Sequence, residues 1–382
     1  MSASEPALRF EISARESSGP ARCGRLHTRR GTLETPVFMP VGTAGAVKTL
    51  HPDEVQKLGF SLILGNTYHL MLRPGAERIA GLGGLHRFMG WTGSILTDSG
   101  GYQVFSLQKI RHIREEGVEF RSHIDGSTHF LSPERAIDIQ QKLGSDIMMA
   151  LDECPPHDAG AAYHAASCQR TTRWAARCLA VRRPGSGALF GIVQGGLDRV
   201  LRRAHLSELA AMPFEGLALG GLSVGEGPER MAEVVSEIAP LMPADRPRYL
   251  MGVGEPRDIL MAVRAGIDMF DCVLPTRNAR NGSLFTRQGR IQIRNSIHAG
   301  SDRPIEEGCG CPACQRFSRA YLRHLFLSNE ILGHRLNTLH NLHFFAAFMA
   351  DIRRAIREDR LEAFTSDFHR TFDSSRGEER FG

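Results

Sequence analysis

Two short apolar runs end on an aspartate, Ser94-Ile95-Leu96-Thr97-Asp98 and Ile267-Asp268-Met269-Phe270-Asp271. Ser99-Gly100-Gly101 follows the first, and Cys272-Val273-Leu274-Pro275-Thr276-Arg277 follows the second. A carboxylate at the end of a buried strand is held rigidly and faces whatever cavity borders that end. A single aspartate there serves as readily to N-cap the next helix. Two on similar frames, far apart in the chain, predict one catalytic pair. A second chemical group lies further on, where Cys309-Gly310-Cys311-Pro312-Ala313-Cys314 brings three thiols within six residues and His340 follows. Three thiolates and one imidazole close a tetrahedral set around zinc with no open position, which predicts a structural site. His343 is the alternative fourth ligand. Loss of that metal is expected to unravel the segment around it rather than abolish the chemistry directly.

The elements that must position these groups follow a rhythm. Eight near-continuous apolar runs have parallel-strand character and are followed by helix-like stretches. They are Pro36–Val41, Ser61–Asn66, the run to Asp98, Ile147–Asp152, Leu189–Gln194, Leu217–Gly221, Tyr249–Val253 and the run to Asp271. Ser132-Pro133-Glu134 supplies an N-cap and a proline at the first helical position, and the segment from Pro256 to Val263 reads the same way. Eight such units predict an α/β fold, a closed (β/α)8 barrel of the TIM type. An open doubly wound sheet is the alternative, but no Gly-x-Gly-x-x-Gly follows the first strand. In such a barrel the carboxyl ends of the strands line one mouth, here with Asn66, Asp98, Asp152, Gln194, Gly220, Gly221, Met251, Gly252 and Asp271.

Ahead of the barrel, Leu8–Ile12 and Gly24–Thr28 read as an antiparallel hairpin plugging its base. Between Gln103 and Ser132, Gly117–Phe120 and Ser127–Phe130 flank Asp125-Gly126, a hairpin signal. The expected division is an N-terminal antiparallel sheet over 1–35, a catalytic barrel over 36–300, and a zinc-binding, helical segment over 301–382 that completes the barrel. Phe317 through Leu327 is expected to be a helix whose stripe of Phe317, Tyr321 and His324 is either core or a contact with a second subunit.

The chain has 382 residues, 42% of them hydrophobic and 23% charged, which suits a globular protein with a full core. Five of the eight cysteines are scattered singly, pointing to reduced thiols plus one metal cluster rather than a disulfide framework. No secretory signal and no span of about 20 apolar residues stand in the sequence, so the expected compartment is the cytoplasm with no membrane attachment. The formal charge of +5 is mild. Lysine occurs only at 48, 57, 109 and 142, and arginine supplies the other 43 of 47 basic residues. GC-rich codon usage accounts for that bias, yet arginine also forks onto phosphates and base edges, so RNA is a compatible partner.

Taken together, these stretches closely resemble the bacterial tRNA-guanine transglycosylases of the queuine tRNA-ribosyltransferase family. The matching motifs are Thr97–Ser106, Asp152-Glu153-Cys154-Pro155, Gly191–Gly196, Leu219–Glu226, Met251–Gly254, Phe270–Arg280 and the Cys-x-Cys-x-x-Cys with its histidine. The likeness runs from about residue 8 to about residue 370. It implies exchange of the wobble guanine of tRNAs with a GUN anticodon for 7-aminomethyl-7-deazaguanine, a step toward queuosine. It further implies Asp271 as nucleophile on the ribose and Asp98 as general acid/base. Cys154 and Val224 match the bacterial pattern for this smaller base rather than the pattern for queuine.

The chemistry of base exchange fits such a set. Retained configuration needs two displacements from opposite faces of the sugar, which a carboxylate nucleophile provides. A second carboxyl gives a proton to the leaving base and takes one from the incoming base. Ionised Asp152 can accept from guanine N1–H and the exocyclic amine, while Gln194 and the Gly221 N–H donate to the other purine edge. Tyr102 and Met251 suit a sandwich around a flat ring. The Leu222 carbonyl and Glu226 can receive the aminomethyl cation. Ser99, Gly100, Gly101 and Gly220 complete the expected base pocket. RNA contacts are expected from the loops after the last two strands: Gly252, Val253, Gly254, Glu255, Pro256, Arg257 and Asp258, then Thr276, Arg277, Asn278, Ala279 and Arg280. A homodimer is the expected assembly. The competing readings are a non-catalytic tRNA-binding paralogue and a barrel glycoside hydrolase using the same two acids.

Overall fold

The computed structural model describes residues 7–107 and 111–372. An antiparallel sheet of three strands comes first, β1 (Leu8–Arg15), β2 (Arg22–Thr28) and β3 (Gly31–Thr35). The expected hairpin is its first two strands; β3 is a short, mostly polar stretch with little apolar alternation to reveal it. The barrel begins with β4 (Val37–Gly42), β5 (Leu62–Gly65) and β6 (Ser94–Thr97). A second antiparallel sheet then interrupts it, β7 (Arg111–Ile113), β8 (Val118–Arg121) and β9 (Thr128–Leu131), with Asp125-Gly126 in the turn between the last two. The barrel resumes with β10 (Ile147–Met149), β11 (Ala188–Val193), β12 (Gly216–Leu219), β13 (Arg248–Leu250) and β14 (Met269–Cys272). A closing hairpin, β15 (Ser283–Thr286) with β16 (Gly289–Gln292), went unread in the sequence.

The eight barrel strands close in chain order, and β14 returns to pair in parallel with β4. All eight expected runs overlap a barrel strand, and the strands close into a barrel. Several runs overshoot: β10 stops at Met149 and β13 at Leu250, because the residues beyond turn into the mouth instead of pairing.

Strand alternation separates two cores. One set, including Phe38, Ile63, Ile95, Met148, Leu189, Leu217, Leu250 and Phe270, faces the surrounding helices. The other, including Met39, Leu62, Leu64, Leu96, Met149, Phe190, Tyr249 and Met269, fills the barrel together with Leu8, Leu26 and Leu33 of the N-terminal sheet. That shared cluster makes the first sheet a plug at the barrel base. Phe190 takes so much of the interior that a Cβ on Gly216 would lie 2.4 Å from its ring. At the base, Arg22 of β2 donates to both carboxylate oxygens of the buried Asp268, at 3.0 and 2.6 Å, so plug and barrel are joined by a two-pronged ion pair.

The long helix Ile331–Arg357 packs against β4, with Phe345 and Phe38 ring centroids 4.7 Å apart, and so covers the seam where the barrel closes. The helix expected from Phe317 to Leu327 is Arg319–Leu327, whose N-cap Ser318 accepts from the Tyr321 N–H, and a separate short helix, Pro312–Arg316, precedes it and ends at Phe317. Phe317 and Tyr321 still stack, at 5.3 Å. Among the described residues, no helix is long and apolar enough to cross a membrane.

Candidate active site and metal cluster

Strand register brings the two aspartates to the same mouth. Gly65 pairs with Thr97, so Asn66 and Asp98 emerge side by side. The Asn66 amide donates to Asp98 Oδ2 at 2.5 Å, Gln103 Nε2 donates to the same oxygen at 2.8 Å, and the Thr67 N–H donates to Oδ1 at 2.7 Å. Asp98 is the residue just past its strand, as read. Asp271 instead lies within β14, paired with Met39. The Tyr249 hydroxyl and the Gly252 N–H both donate to Asp271 Oδ1, at 2.5 and 2.8 Å. Among the described residues Oδ2 receives no such bond, and Asp271 is only half-buried, so that oxygen is the one presented to the mouth.

Burial pushes Asp98 up to about 6 against the lowering effect of its three donors, and the charge of Asp271 adds to the rise. Burial likewise raises Asp271, opposed by Tyr249 and Gly252. Burial holds the Tyr249 phenol well above its ordinary value, so it remains a donor. Asp152 is pushed up to about 6, chiefly by burial, with Asp98 adding its charge. Asp98 feels the charge of Asp271 and Asp152 feels that of Asp98, so the three acids share one pocket. Asp98 and Asp152 bind protons more tightly in the fold than in the unfolded chain. Their contribution therefore favours the fold below about pH 4 and is lost as pH rises through about 6.

Beside the pair stands a second polar group. Gln194 Nε2 donates to Asp152 Oδ2 at 2.7 Å and the Ser99 hydroxyl donates to Oδ1 at 3.1 Å, while the Gly101 N–H donates to Ser99 Oγ at 3.1 Å. Gly101 must be glycine, because a Cβ would lie 2.9 Å from the Asp152 carbonyl. Among the described residues, buried Gln194 Oε1 has no hydrogen-bond partner, which leaves recognition capacity in the pocket. Gly220 and Gly221 pack on the Gln194 amide, and Leu222 is buried next to them. Glu226 is turned onto its own loop, where the Ser223 and Val224 N–H groups donate to its two oxygens. Tyr102 is 49% exposed and Met251 half-buried at the rim. Cys154 is a neutral thiol, pushed up to about 12 by burial.

The residues expected to face RNA differ in exposure. Val253, Gly254, Pro256, Thr276 and Ala279 are buried, because each helix start turns one face into the core. Glu255 is paired with Arg290, and the Arg257 guanidinium sits 5.8 Å from the Phe372 ring centroid. Gly252 and Arg277 are exposed, and Asp258, Asn278 and Arg280 are half-buried. Sequence reading missed the roles of Tyr249 and Gln103. Tyr249 was hidden in an apolar run, although its register opposite Met269 gives it the interior parity that reaches Asp271.

At the far side, His340 Nδ1 lies 3.4 Å from Cys314 Sγ, 3.5 Å from Cys311 Sγ and 3.8 Å from Cys309 Sγ. All four ligand atoms lie within 4.8 Å of one another, a cluster able to hold a metal ion. His340 Nε2 is bonded to the Phe285 carbonyl at 2.7 Å, which fixes the ring with Nδ1 toward the sulfurs. The histidine that joins the three thiols in the cluster is His340.

Comparison with known proteins agrees with this geometry. The family model described as queuine tRNA-ribosyltransferase matches residues 16–374. A queuine tRNA-ribosyltransferase of Syntrophobacter fumaroxidans is 57% identical over 360 residues, covering 94% of this chain and 96% of the relative. Those of Solidesulfovibrio magneticus and Desulforamulus reducens are 58% and 54% identical, covering 91% and 96% of this chain and 94% and 99% of theirs. With a match across nearly its whole length and the paired acids at one barrel mouth, the chain belongs to the queuine tRNA-ribosyltransferase family.

Proposed function

We propose that this protein is a tRNA-guanine transglycosylase that replaces the wobble guanine of GUN-anticodon tRNAs with 7-aminomethyl-7-deazaguanine. The observation that carries the reading is the asymmetric hydrogen bonding of the two acids. Asp98 accepts three donors and is raised to about 6, suited to gaining and losing a proton. Asp271 has one oxygen anchored and the other turned to the mouth, suited to attack. In the first step Asp271 Oδ2 bonds to the ribose anomeric carbon as the glycosidic bond to guanine breaks, and Asp98 protonates the departing nitrogen. In the second step Asp98 takes the proton from the incoming base, whose nitrogen bonds to the anomeric carbon as the Asp271 ester breaks. Two inversions return the original configuration.

Asp152 accepts the N1–H and exocyclic amine of the base, and Gln194 with the Gly221 N–H donates to the C6 oxygen. The base displaces the Gln194–Asp152 bond and gives both groups new partners. Ionised Asp152 is the binding form. Affinity for free guanine is therefore expected to fall about tenfold per pH unit below about pH 6, as calorimetry can measure. Asp152→Asn should weaken guanine about 100-fold and flatten that dependence, because the new amide sets a donor against a donor. Unchanged affinity in this variant would remove Asp152 from base recognition.

The RNA is held at the mouth through Arg277, Asn278 and Arg280. Arg277→Ala is expected to weaken tRNA binding about tenfold in a filter assay and to leave guanine binding unchanged. Equal loss of both would indicate misfolding instead.

The cluster at Cys309, Cys311, Cys314 and His340 holds a structural zinc. Ligands at the usual zinc distances of 2.0–2.3 Å form a tetrahedron with edges of about 3.6 Å. The three S–N separations of 3.4, 3.5 and 3.8 Å fit it. When bound, the ion crosslinks the segment after β16 to the helix Ile331–Arg357 and takes no part in base exchange. A three-part organisation at 1–35, 36–300 and 301–382, a homodimer and a cytoplasmic location complete the reading.

Nucleoside mass spectrometry of tRNA incubated with guanine, 7-aminomethyl-7-deazaguanine and queuine in competition tests it. Incorporation of the aminomethyl base at the wobble position is the expected result. No incorporation would favour a binding-only paralogue, and turnover of aryl glycosides in its place would favour a hydrolase.

A further inference from the structure

One charged side chain lies directly behind the base pocket. Arg202, on the helix Arg199–Ala210, is fully buried, yet among the described residues no carboxylate forms an ion pair with it. Its donors go to backbone carbonyls of two neighbouring strand ends. Nε donates to Gly196 at 2.6 Å and Nη1 to Val193 at 3.2 Å; Nη2 donates to Gly220 at 2.9 Å and Gly221 at 3.4 Å. A guanidinium buried against carbonyls alone is a costly way to fill space, since an apolar side chain would avoid its desolvation. What it supplies is direction.

The Gly220–Gly221 peptide is trans, so its N–H points opposite to its C=O. With the Gly220 carbonyl turned onto Arg202, the Gly221 N–H faces away from it. Gln194 lies against the same two glycines: a Cβ on Gly221 would come within 2.3 Å of Gln194 Oε1, and Gly221 has a φ of +63°. One turn along the helix, His205 Nδ1 accepts the Gln194 N–H at 2.9 Å. The same helix face thus sets both groups that read the C6 side of the base.

We propose that Arg202 is a positioning residue for base recognition, orienting the Gly220–Gly221 peptide so that the Gly221 N–H meets the C6 oxygen of the purine. This rests on the base-pocket reading above. Arg202 touches no substrate and acts only through the peptide. Its five fixed donors can hold several carbonyls at once, which a lysine ammonium on a flexible stem cannot do in the same geometry.

The test is binding of guanine and 6-thioguanine to the full-length protein and to Arg202→Lys and Arg202→Met, with tRNA binding measured in parallel. The two bases share the N1–H and the amine but differ at C6, where sulfur is the poorer acceptor. The unsubstituted protein is expected to prefer guanine about 30-fold, because both Gln194 and the Gly221 N–H donate to the C6 oxygen. In Arg202→Lys that preference should shrink to about threefold, the share that Gln194 keeps, through weaker guanine binding with 6-thioguanine and tRNA nearly unchanged. Should the methionine variant fail to fold, the lysine variant carries the measurement. A preserved preference, or equal weakening of both bases, would overturn the inference. Failure of the unsubstituted protein to bind either base would instead overturn the base-pocket reading itself.

Discussion

Asp271→Asn is expected to yield no denaturation-resistant adduct with tRNA and to lower guanine exchange by about four orders of magnitude or more. The substitution is nearly isosteric. The Tyr249 hydroxyl and the Gly252 N–H, which now meet Oδ1 at 2.5 and 2.8 Å, can still donate to the amide oxygen, so the strand end keeps its shape. What is lost is the anionic oxygen facing the mouth. The amide has neither the charge nor the basicity to displace a purine from ribose, and no second carboxylate stands in its place. Asp98 is tied by Asn66, Thr67 and Gln103 into the proton-transfer role. Denaturing electrophoresis of enzyme mixed with tRNA reads the adduct, and labelled guanine reads the exchange. An adduct that survives the substitution would remove Asp271 from the role of nucleophile.

Cys311→Ser is expected to act on stability before it acts on chemistry. Cys311 is the most enclosed of the three thiols, and its sulfur accepts the Cys314 N–H at 3.3 Å, capping the helix Pro312–Arg316. A structural zinc site supplies about 10–16 kcal/mol of apparent binding free energy. That matches or exceeds the whole stability of a typical domain, about 5–15 kcal/mol. The short helix buries only Ala313, so the segment around it should melt. His340, by contrast, lies in a helix packed on the barrel and should stay in place. The expected outcome is metal content falling from one ion per chain to near zero by elemental analysis, a separate low-temperature unfolding transition, and weakened tRNA binding with guanine binding retained. A metal-free variant that melts like the unsubstituted protein would show that the cluster is not a structural centre.

The barrel and its chemistry were legible to different depths. Buried parallel strands are continuous apolar runs, so all eight could be found from composition alone. Closure followed from their number and rhythm. Where signals were short or polar, reading failed. β3 and β7 are brief strands with little apolar alternation, and the helix expected from Phe317 starts only at Arg319 because Ser318 caps it, which helical spacing conceals. Asp98, Asp152, Gln194 and Asp271 were visible because polar residues at the ends of apolar runs stand out. Tyr249 was not, because a phenol inside an apolar run reads as core.

The chain's own order of residues determined which groups are available: four polar side chains at strand ends, glycines where no Cβ fits, and three thiols spaced to curl around one ion. Only the closed barrel decided how they meet. Register set Asn66 beside Asp98 and Tyr249 beneath Asp271, and closure buried the mouth acids, which raises Asp98 and Asp152 to about 6, with a smaller push from a neighbouring carboxylate. Burial did the rest, turning Ala279 and Val253 inward and holding Arg202 against carbonyls at or just past the ends of two barrel strands. Desolvation and hydrogen-bond direction depend on what surrounds a group, and that environment exists only once the strands have closed.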